Sequence, residues 1–444
     1  MKNEVKHIAI MGAGLVGSLA AIYLQKRGYT VTIYERRADM RKTGAAEGRS
    51  INLALSNRGL KPLEQVGLSD EVEKMVIPMH GRMMHDVKGE LTFQPYGKEG
   101  QFINSISRGG LNSLLMNKAE EHGVEIVFDH RCVDVDLDKT EVTLEHNGQK
   151  KVVSADLIIG ADGAYSAIRA AMQKTDRFNY HQRYIDHGYK ELSIPPKGAN
   201  GFHIEKNALH IWPRGNYMLI ALPNTDGSFT CTLFFPFEGE KSFETLTSDN
   251  DVENFFNEVF PDAVPLMPTL MEDYKNNPTS SLMTVKSYPW VKNRTVIIGD
   301  ASHAIVPFYG QGMNSGFEDC RVLNDMLNEF HDDWEKVLPE FQKERKPDAD
   351  AILELALRNF IEMRDLVADE HFLVRKKIEA KLHERFPDKW IPLYSMVTFN
   401  EDMRYSDAIR IGDRQKEIMD EVMQRDGILE NWESVDLNQI VSQL

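Results

Sequence analysis

The 444-residue chain carries 52 Lys and Arg against 68 Asp and Glu, a formal charge of −16, and 42% of its residues are hydrophobic. At roughly 150 residues per domain that length supports about three units with a sizeable core, and the acidic balance argues against a nucleic acid or an anionic membrane as partner, because the long-range field would repel phosphate. Cys132, Cys231 and Cys320 lie far apart and never form C-x-x-C, which points to a reduced, cytoplasmic protein with neither disulfides nor a metal centre.

The first residues run directly into an apolar segment, so no secretory leader is expected, and no stretch approaches the ~20 apolar residues of a membrane helix. Residues 7–11 predict a buried strand, 15–26 a helix closing at Gly28, and 31–35 a second strand. Together they form a β-α-β unit of a parallel, doubly wound sheet. A helix over 110–122 and a strand over 124–128 follow, then a hairpin with strands 141–145 and 150–153 around Asn147-Gly148, then an apolar strand at 157–159. From 201 to 237 short alternating strands at 208–212, 217–222 and 228–235, separated by turn clusters, predict an antiparallel meander. The parallel pattern returns at 295–298, so the first domain is interrupted and then completed. Beyond Pro347 helical spacing dominates, with amphipathic stretches at 350–381 and 407–424.

Three segments carry chemistry. Gly12-x-Gly14-x-x-Gly17, with Leu15 and Val16 in its interior, lies between a strand and a helix, and Glu35 ends the next strand. The glycines allow a tight turn and close approach of a pyrophosphate to the helix N-terminus, while the carboxylate accepts from ribose hydroxyls. That pattern fits FAD and NAD equally. Asp162-Gly163 ends the strand at 157–159 and by itself reads as an ordinary turn. Finally, Gly299-Asp300 ends the strand at 295–298, and Gly310-Gln311-Gly312-Met313-Asn314 opens a helix. This suits a ribityl hydroxyl and the pyrimidine edge of a flavin.

In this order the three segments resemble the fingerprints of the single-component, FAD-dependent aromatic hydroxylases. The resemblance extends to Gly48-Arg49-Ser50-Ile51-Asn52-Leu53-Ala54-Leu55-Ser56, to 184–192, to Ile305-Val306-Pro307-Phe308-Tyr309-Gly310-Gln311-Gly312-Met313-Asn314, and to 391–399, so it runs nearly end to end. It implies an α/β fold: a discontinuous Rossmann-type FAD-binding domain (1–75, 101–180 and 290–346), an inserted antiparallel-sheet substrate domain (76–100 and 181–289), and a C-terminal helical cap (347–444). Within the family the resemblance is to the branch that hydroxylates L-kynurenine to 3-hydroxykynurenine with NADPH and O2, through a flavin C4a-hydroperoxide, in tryptophan catabolism. The aniline nitrogen already activates that ring, so no catalytic side chain is expected, only groups that bind, orient and exclude water.

Matched by motif, the resemblance assigns Arg82 and Tyr96, both expected on strands of the inserted sheet, to the substrate carboxylate. Asn359 and Tyr394 would meet other polar substrate atoms, Met363 and Phe308 the ring, and Glu362 shares the helix face of Asn359. Taken alone, Arg82 reads as a surface arginine and Asn359 and Glu362 as solvated helix residues. Besides Gly12, Gly14, Leu15, Val16, Gly17 and Glu35, the flavin positions are Arg37, Ala54, Arg108, Cys132, Asp162, Ala167, Asp300, Gly312, Met313 and Asn314. His303 reads as structural. Eukaryotic members end in a membrane-anchoring segment, whereas this chain ends in 441–444 without an apolar span, so a soluble monomer or homodimer is expected. The alternatives are a hydroxylase of another aromatic acid, a flavin halogenase (only Trp390-Ile391-Pro392 echoes its W-x-W-x-I-P), and an inert FAD-binding protein.

Overall fold

The computed structural model describes residues 4–43, 52–98, 100–363 and 369–444, so 48–51 of the first resembling stretch lie outside the described residues. Strand His7–Met11 pairs in parallel with Thr30–Tyr34 on one side and Leu157–Gly160 on the other, with Ile8 opposite Val31 and Leu157. Glu125–Val127 and Thr295–Ile297 extend the sheet in parallel at its two sides, and Val291–Lys292 adds an antiparallel edge. The inner strands read as unbroken apolar runs because helices cover both faces. Helix Leu15–Lys26 buries Leu19, Ile22 and Leu24, and helix Gly312–Glu329 buries Phe317, Leu323 and Leu327 in the same core.

The second sheet has seven strands in the order Ser280–Tyr288, Asn179–Ile194, Phe229–Pro236, Met218–Pro223, Ala208–Pro213, Gly81–His85 and Leu91–Pro95. The predicted meander forms its middle, but the sheet is mixed: Ala208–Pro213 pairs in parallel with Gly81–His85. That pairing carries Arg82 from an early stretch into a sheet built mostly later. Tyr96 sits one residue beyond Leu91–Pro95, outside the strand expected for it. One face of this sheet packs on helix Asp249–Val259 through Phe255 and Phe256, an element the sequence pattern did not reveal, and the other turns toward the parallel sheet.

The C-terminal part differs from expectation in two ways. Helix Trp334–Ile361 begins well before Pro347 and holds both Pro339 and Pro347 in its interior. The predicted single stretch 350–381 is divided, with a second helix at Glu370–Arg385. Helices Leu393–Thr398 and Tyr405–Met423 follow. Among the described residues no helix is long and apolar enough to cross a membrane.

Candidate flavin and substrate site

A cavity of about 920 Å³ runs between the two large sheets. At one end strand His7–Met11 delivers Gly12 with φ +104°, where an added Cβ would lie 2.5 Å from the Ala161 carbonyl oxygen. At Gly17 it would lie 2.0 Å from the Gly12 oxygen, so this glycine seats the helix on the turn and does not reach the cavity wall. At Gly14 an added Cβ would meet nothing within 4 Å. The free N–H groups of the first turn of helix Leu15–Lys26 therefore border open space at Gly14, Leu15 and Val16. Glu35 is held in place by accepting the Ala13 N–H at 2.9 Å and the Arg37 N–H at 3.0 Å.

Further along the wall, Asp162 caps helix Ala167–Met172 by accepting the Ala167 N–H at 2.6 Å. Its other carboxylate oxygen is buried without a partner, and desolvation raises its pKa. Cys132 also lines the wall, and burial pushes its thiol up to about 12, so it stays protonated and unreactive. Asp300 borders the cavity and is exposed to it. Desolvation raises its pKa against the opposing charges of Arg108 and His303. Arg37, Ala54, Arg108, Ala167, Gly312 and Met313 complete this part. Asn314 stands behind the wall: its side chain accepts from Ser56 N–H at 3.0 Å and donates to Ala54 O at 2.9 Å and Gly310 O at 2.7 Å, tying the two loops together.

These residues fit FAD. An open helix N-terminus faces the cavity, two carboxylates border it, and an orphaned buried acceptor waits at Asp162. His303 points away, 2.6 Å from Asp319, in keeping with a structural role. Among the described residues no cluster of three or more His, Cys, Asp or Glu side chains is arranged to hold a metal ion.

The other end is lined by the seven-stranded sheet: Leu209; Met218, Ile220 and Leu222; Thr232 and Phe234, alternating along their strands; and Ser280, Ser281, Leu282 and Met283 at one edge. From this apolar floor Arg82 projects beside two tyrosine rings, its guanidinium carbon 5.7 Å from the Tyr96 centroid and 5.1 Å from that of Tyr394. Arg82 Nε and the Tyr96 hydroxyl are buried with no hydrogen-bond partner. Desolvation works against the guanidinium charge, but the phenols of Tyr394 and Tyr96 and the Glu362 carboxylate outweigh it and raise the pKa, so Arg82 stays cationic. Burial also pushes the Tyr96 phenol well above its ordinary range, so it remains a neutral donor.

Phe308 and Met363 line the wall, and Phe308 stacks on Phe360 with centroids 4.1 Å apart. Asn359 does not reach the cavity: its amide donates to Phe308 O at 2.7 Å and so places that ring. Glu362 lies 3.8 Å from Lys376 and acts on Arg82 through its field. Sequence reasoning left out Tyr309, which stacks on Tyr394 with centroids 5.4 Å apart and 20° between planes, and Tyr394 stacks in turn on Tyr96 at 5.4 Å and 11°. Its place beside Phe308 in the glycine-rich loop was the available signal. Trp390, the halogenase echo, is buried among Ile378, Leu382 and Ile418, away from the cavity wall.

Residues 5–356 match the family model described as FAD binding domain. The chain is 51% identical over 447 residues to a protein of Flavobacterium johnsoniae named kynurenine 3-monooxygenase, covering 100% of this chain and 99% of that one. A Dictyostelium discoideum protein of the same name is 43% identical, with 97% of this chain and 96% of that one covered. Among solved structures, 2-methyl-3-hydroxypyridine-5-carboxylic acid oxygenase superposes with a TM-score of 0.68 at 23% identity over 82% of this chain and 94% of that one. Tetracycline destructase Tet(55) gives 0.61 at 20% identity over 81% and 90%, so both attest the fold alone. With a cavity built for a flavin and relatives aligned over its whole length, the chain belongs to the kynurenine 3-monooxygenase family of FAD-dependent monooxygenases.

Proposed function

We propose that this chain hydroxylates L-kynurenine at ring carbon 3: the substrate C–H becomes C–OH, and NADPH, O2 and a proton yield NADP⁺ and water. The observation that carries the reading is the placement of Arg82 beside Tyr96 and Tyr394 on the wall of a largely apolar cavity continuous with the flavin site, with no carboxylate hydrogen-bonded to the guanidinium among the described residues. Such a placement favours an anion, and a carboxylate meets it with charge-assisted hydrogen bonds. When bound, FAD supplies the redox chemistry, accepting the reducing equivalents of NADPH and activating O2.

The side chains do the rest. Arg82, Tyr96 and Tyr394 hold the carboxylate at one end, which sends the aromatic ring along the floor of Met218, Ile220 and Phe234 toward the flavin end. Phe308, seated by Asn359, and Met363 close the apolar wall and keep water from the reacting atoms. The N-terminus of helix Gly312–Glu329 opens on the cavity, and its N–H groups and dipole favour negative charge there by about 1 kcal/mol. No side chain needs to remove a proton to activate the ring, since the aniline nitrogen already donates to it.

The Arg82–Tyr96–Tyr394 clamp also speaks against an inert FAD carrier. A cytoplasmic location is part of the proposal, supported by the reduced cysteines and the lack of a spanning helix among the described residues. The test is direct: purified holoprotein should oxidise NADPH faster when L-kynurenine is added and should form 3-hydroxykynurenine. Bound FAD without either response refutes the substrate reading.

A further inference from the structure

Behind the cavity a buried polar knot joins three segments distant in sequence. Arg58, on helix Asn57–Gln65, is 2% exposed. Its Nε donates to Val397 O at 2.8 Å, one terminal nitrogen donates to Glu318 Oε1 at 2.9 Å, and the other donates to Asn400 O at 3.0 Å and to Met403 O. The guanidinium lies over the Tyr405 ring, 4.1 Å from its centroid. The Tyr405 hydroxyl donates to Gln311 Oε1 at 2.9 Å, beside Gly312 on the cavity wall.

Val397 belongs to the last turn of helix Leu393–Thr398, whose final carbonyls have no partner within the helix. A cation at that end satisfies a carbonyl and complements the helix dipole. This short helix carries Tyr394. Glu318 is shared: Arg345 donates to its other oxygen at 2.9 Å and to Asp319 at 2.9 Å, and Asp319 accepts the Gly299 N–H at 2.9 Å, next to Asp300. One connected set of buried bonds thus fixes both cofactor loops and the helix bearing a wall of the substrate end.

We infer that Arg58 is a positioning residue for substrate capture, acting through Tyr394 by clamping the carboxyl end of its helix against the cofactor loops. This rests on the clamp reading of Arg82, Tyr96 and Tyr394 proposed above. Three of the four hydrogen bonds made by Arg58 go to carbonyls of residues 397–403 and only one to a carboxylate. Lysine can keep the Glu318 pair, but a single compact ammonium cannot reproduce the fork that reaches three carbonyls.

Two measurements on the FAD-loaded protein test the inference. The first is amide hydrogen exchange over residues 391–399 in the wild type and in Arg58→Lys. The second is kynurenine affinity, read from the flavin absorbance, in wild type, Arg58→Lys, Tyr394→Ala and the double variant. Arg58→Lys is expected to speed exchange at 391–399 with the parallel-sheet core unchanged, and to weaken kynurenine by about tenfold in the wild-type background but by less than about twofold when Tyr394 is already gone. Equal penalties in both backgrounds, or unchanged exchange at 391–399, overturn it. If Arg58→Lys does not fold, Arg58→Gln, whose single amide can meet only part of the fork, is read by the same two criteria. A wild type that binds no kynurenine refutes the substrate reading, and the exchange result still decides whether Arg58 holds the Tyr394 helix.

Discussion

Replacing Arg82 by methionine keeps most of the apolar stem against the tyrosine rings and removes only the charged head. In the wild type that head sits beside the stacked rings of Tyr96 and Tyr394, with Nε buried and making no hydrogen bond to the protein. On the proposed clamp a bound carboxylate pairs with this cation, so losing the pair costs on the order of 2–5 kcal/mol, because the carboxylate is then stranded in an apolar cavity. At 1.4 kcal/mol per factor of ten, about 3 kcal/mol corresponds to a roughly 150-fold weaker Kd. Titration of the flavin absorbance with L-kynurenine measures it, and the FAD content should be unchanged because Arg82 lies at the opposite end of the cavity from Gly12 and Glu35. The decarboxylated analogue supplies the control. It should bind wild type and Arg82→Met with nearly equal, weak affinity, since it lacks the group Arg82 meets. If Arg82→Met binds kynurenine as tightly as wild type, or weakens the decarboxylated analogue just as much, the clamp is refuted.

Two glycine substitutions separate folding from cofactor binding. Gly17→Ala places a Cβ 2.0 Å from a backbone oxygen, so the apoprotein should lose about 1–3 kcal/mol in denaturant unfolding together with its flavin. Gly14→Ala meets no protein atom within 4 Å, so apoprotein stability should hold while FAD affinity falls, and retained yellow colour would show that this turn does not border the cofactor. Stability should also depend on pH through His210, which is 1% exposed and has its pKa lowered by desolvation to about 4 from 6.5. Its Nε2 donates to Glu205 O at 2.7 Å and its Nδ1 accepts from His85 at 2.8 Å, while His85 also faces Asp262. The unfolded chain binds this proton first, so stability present above pH 6.5 is lost as pH falls toward 4, by at most about 3 kcal/mol. Unfolding curves of wild type and His210→Gln check this. An equally steep fall in both assigns the slope to other groups.

The cofactor end was legible because its constraints are local. Gly12 needs positive φ, Gly17 needs close approach, and Glu35 lies a fixed distance along one β-α-β unit. Likewise the alternation of Met218, Ile220 and Leu222 is a two-residue period visible in the chain. The long helix was hidden by Pro347, which normally argues against a helix interior. Burial of Phe341 on one side and Ile352 on the other holds the helix together through it. Tyr96, Tyr394 and Arg82 showed no local pattern, since their meeting depends on a parallel pairing between Gly81–His85 and Ala208–Pro213 and on a helix some three hundred residues later. Resemblance supplied them where periodicity could not.

The formal charge of −16 acquires a narrower meaning once the site is in view. Surface charges are screened within about 8 Å at physiological salt, so the acidic exterior sets no prohibitive barrier for a small zwitterion. Inside the cavity the screening is lost, and the decisive quantity is the charge of the one group placed to meet the ligand. Glu362 favours the Arg82 charge from a distance yet makes no hydrogen bond to Nε, and the guanidinium is cationic in any case. A carboxylate paired directly with Arg82 would have satisfied it and closed the site to an anion. The acid therefore leaves Arg82 unoccupied, and the stacked tyrosines carry phenols that burial prevents from ionising. On the proposed clamp, a net-acidic protein binds an anionic group through a local cation that no described carboxylate occupies.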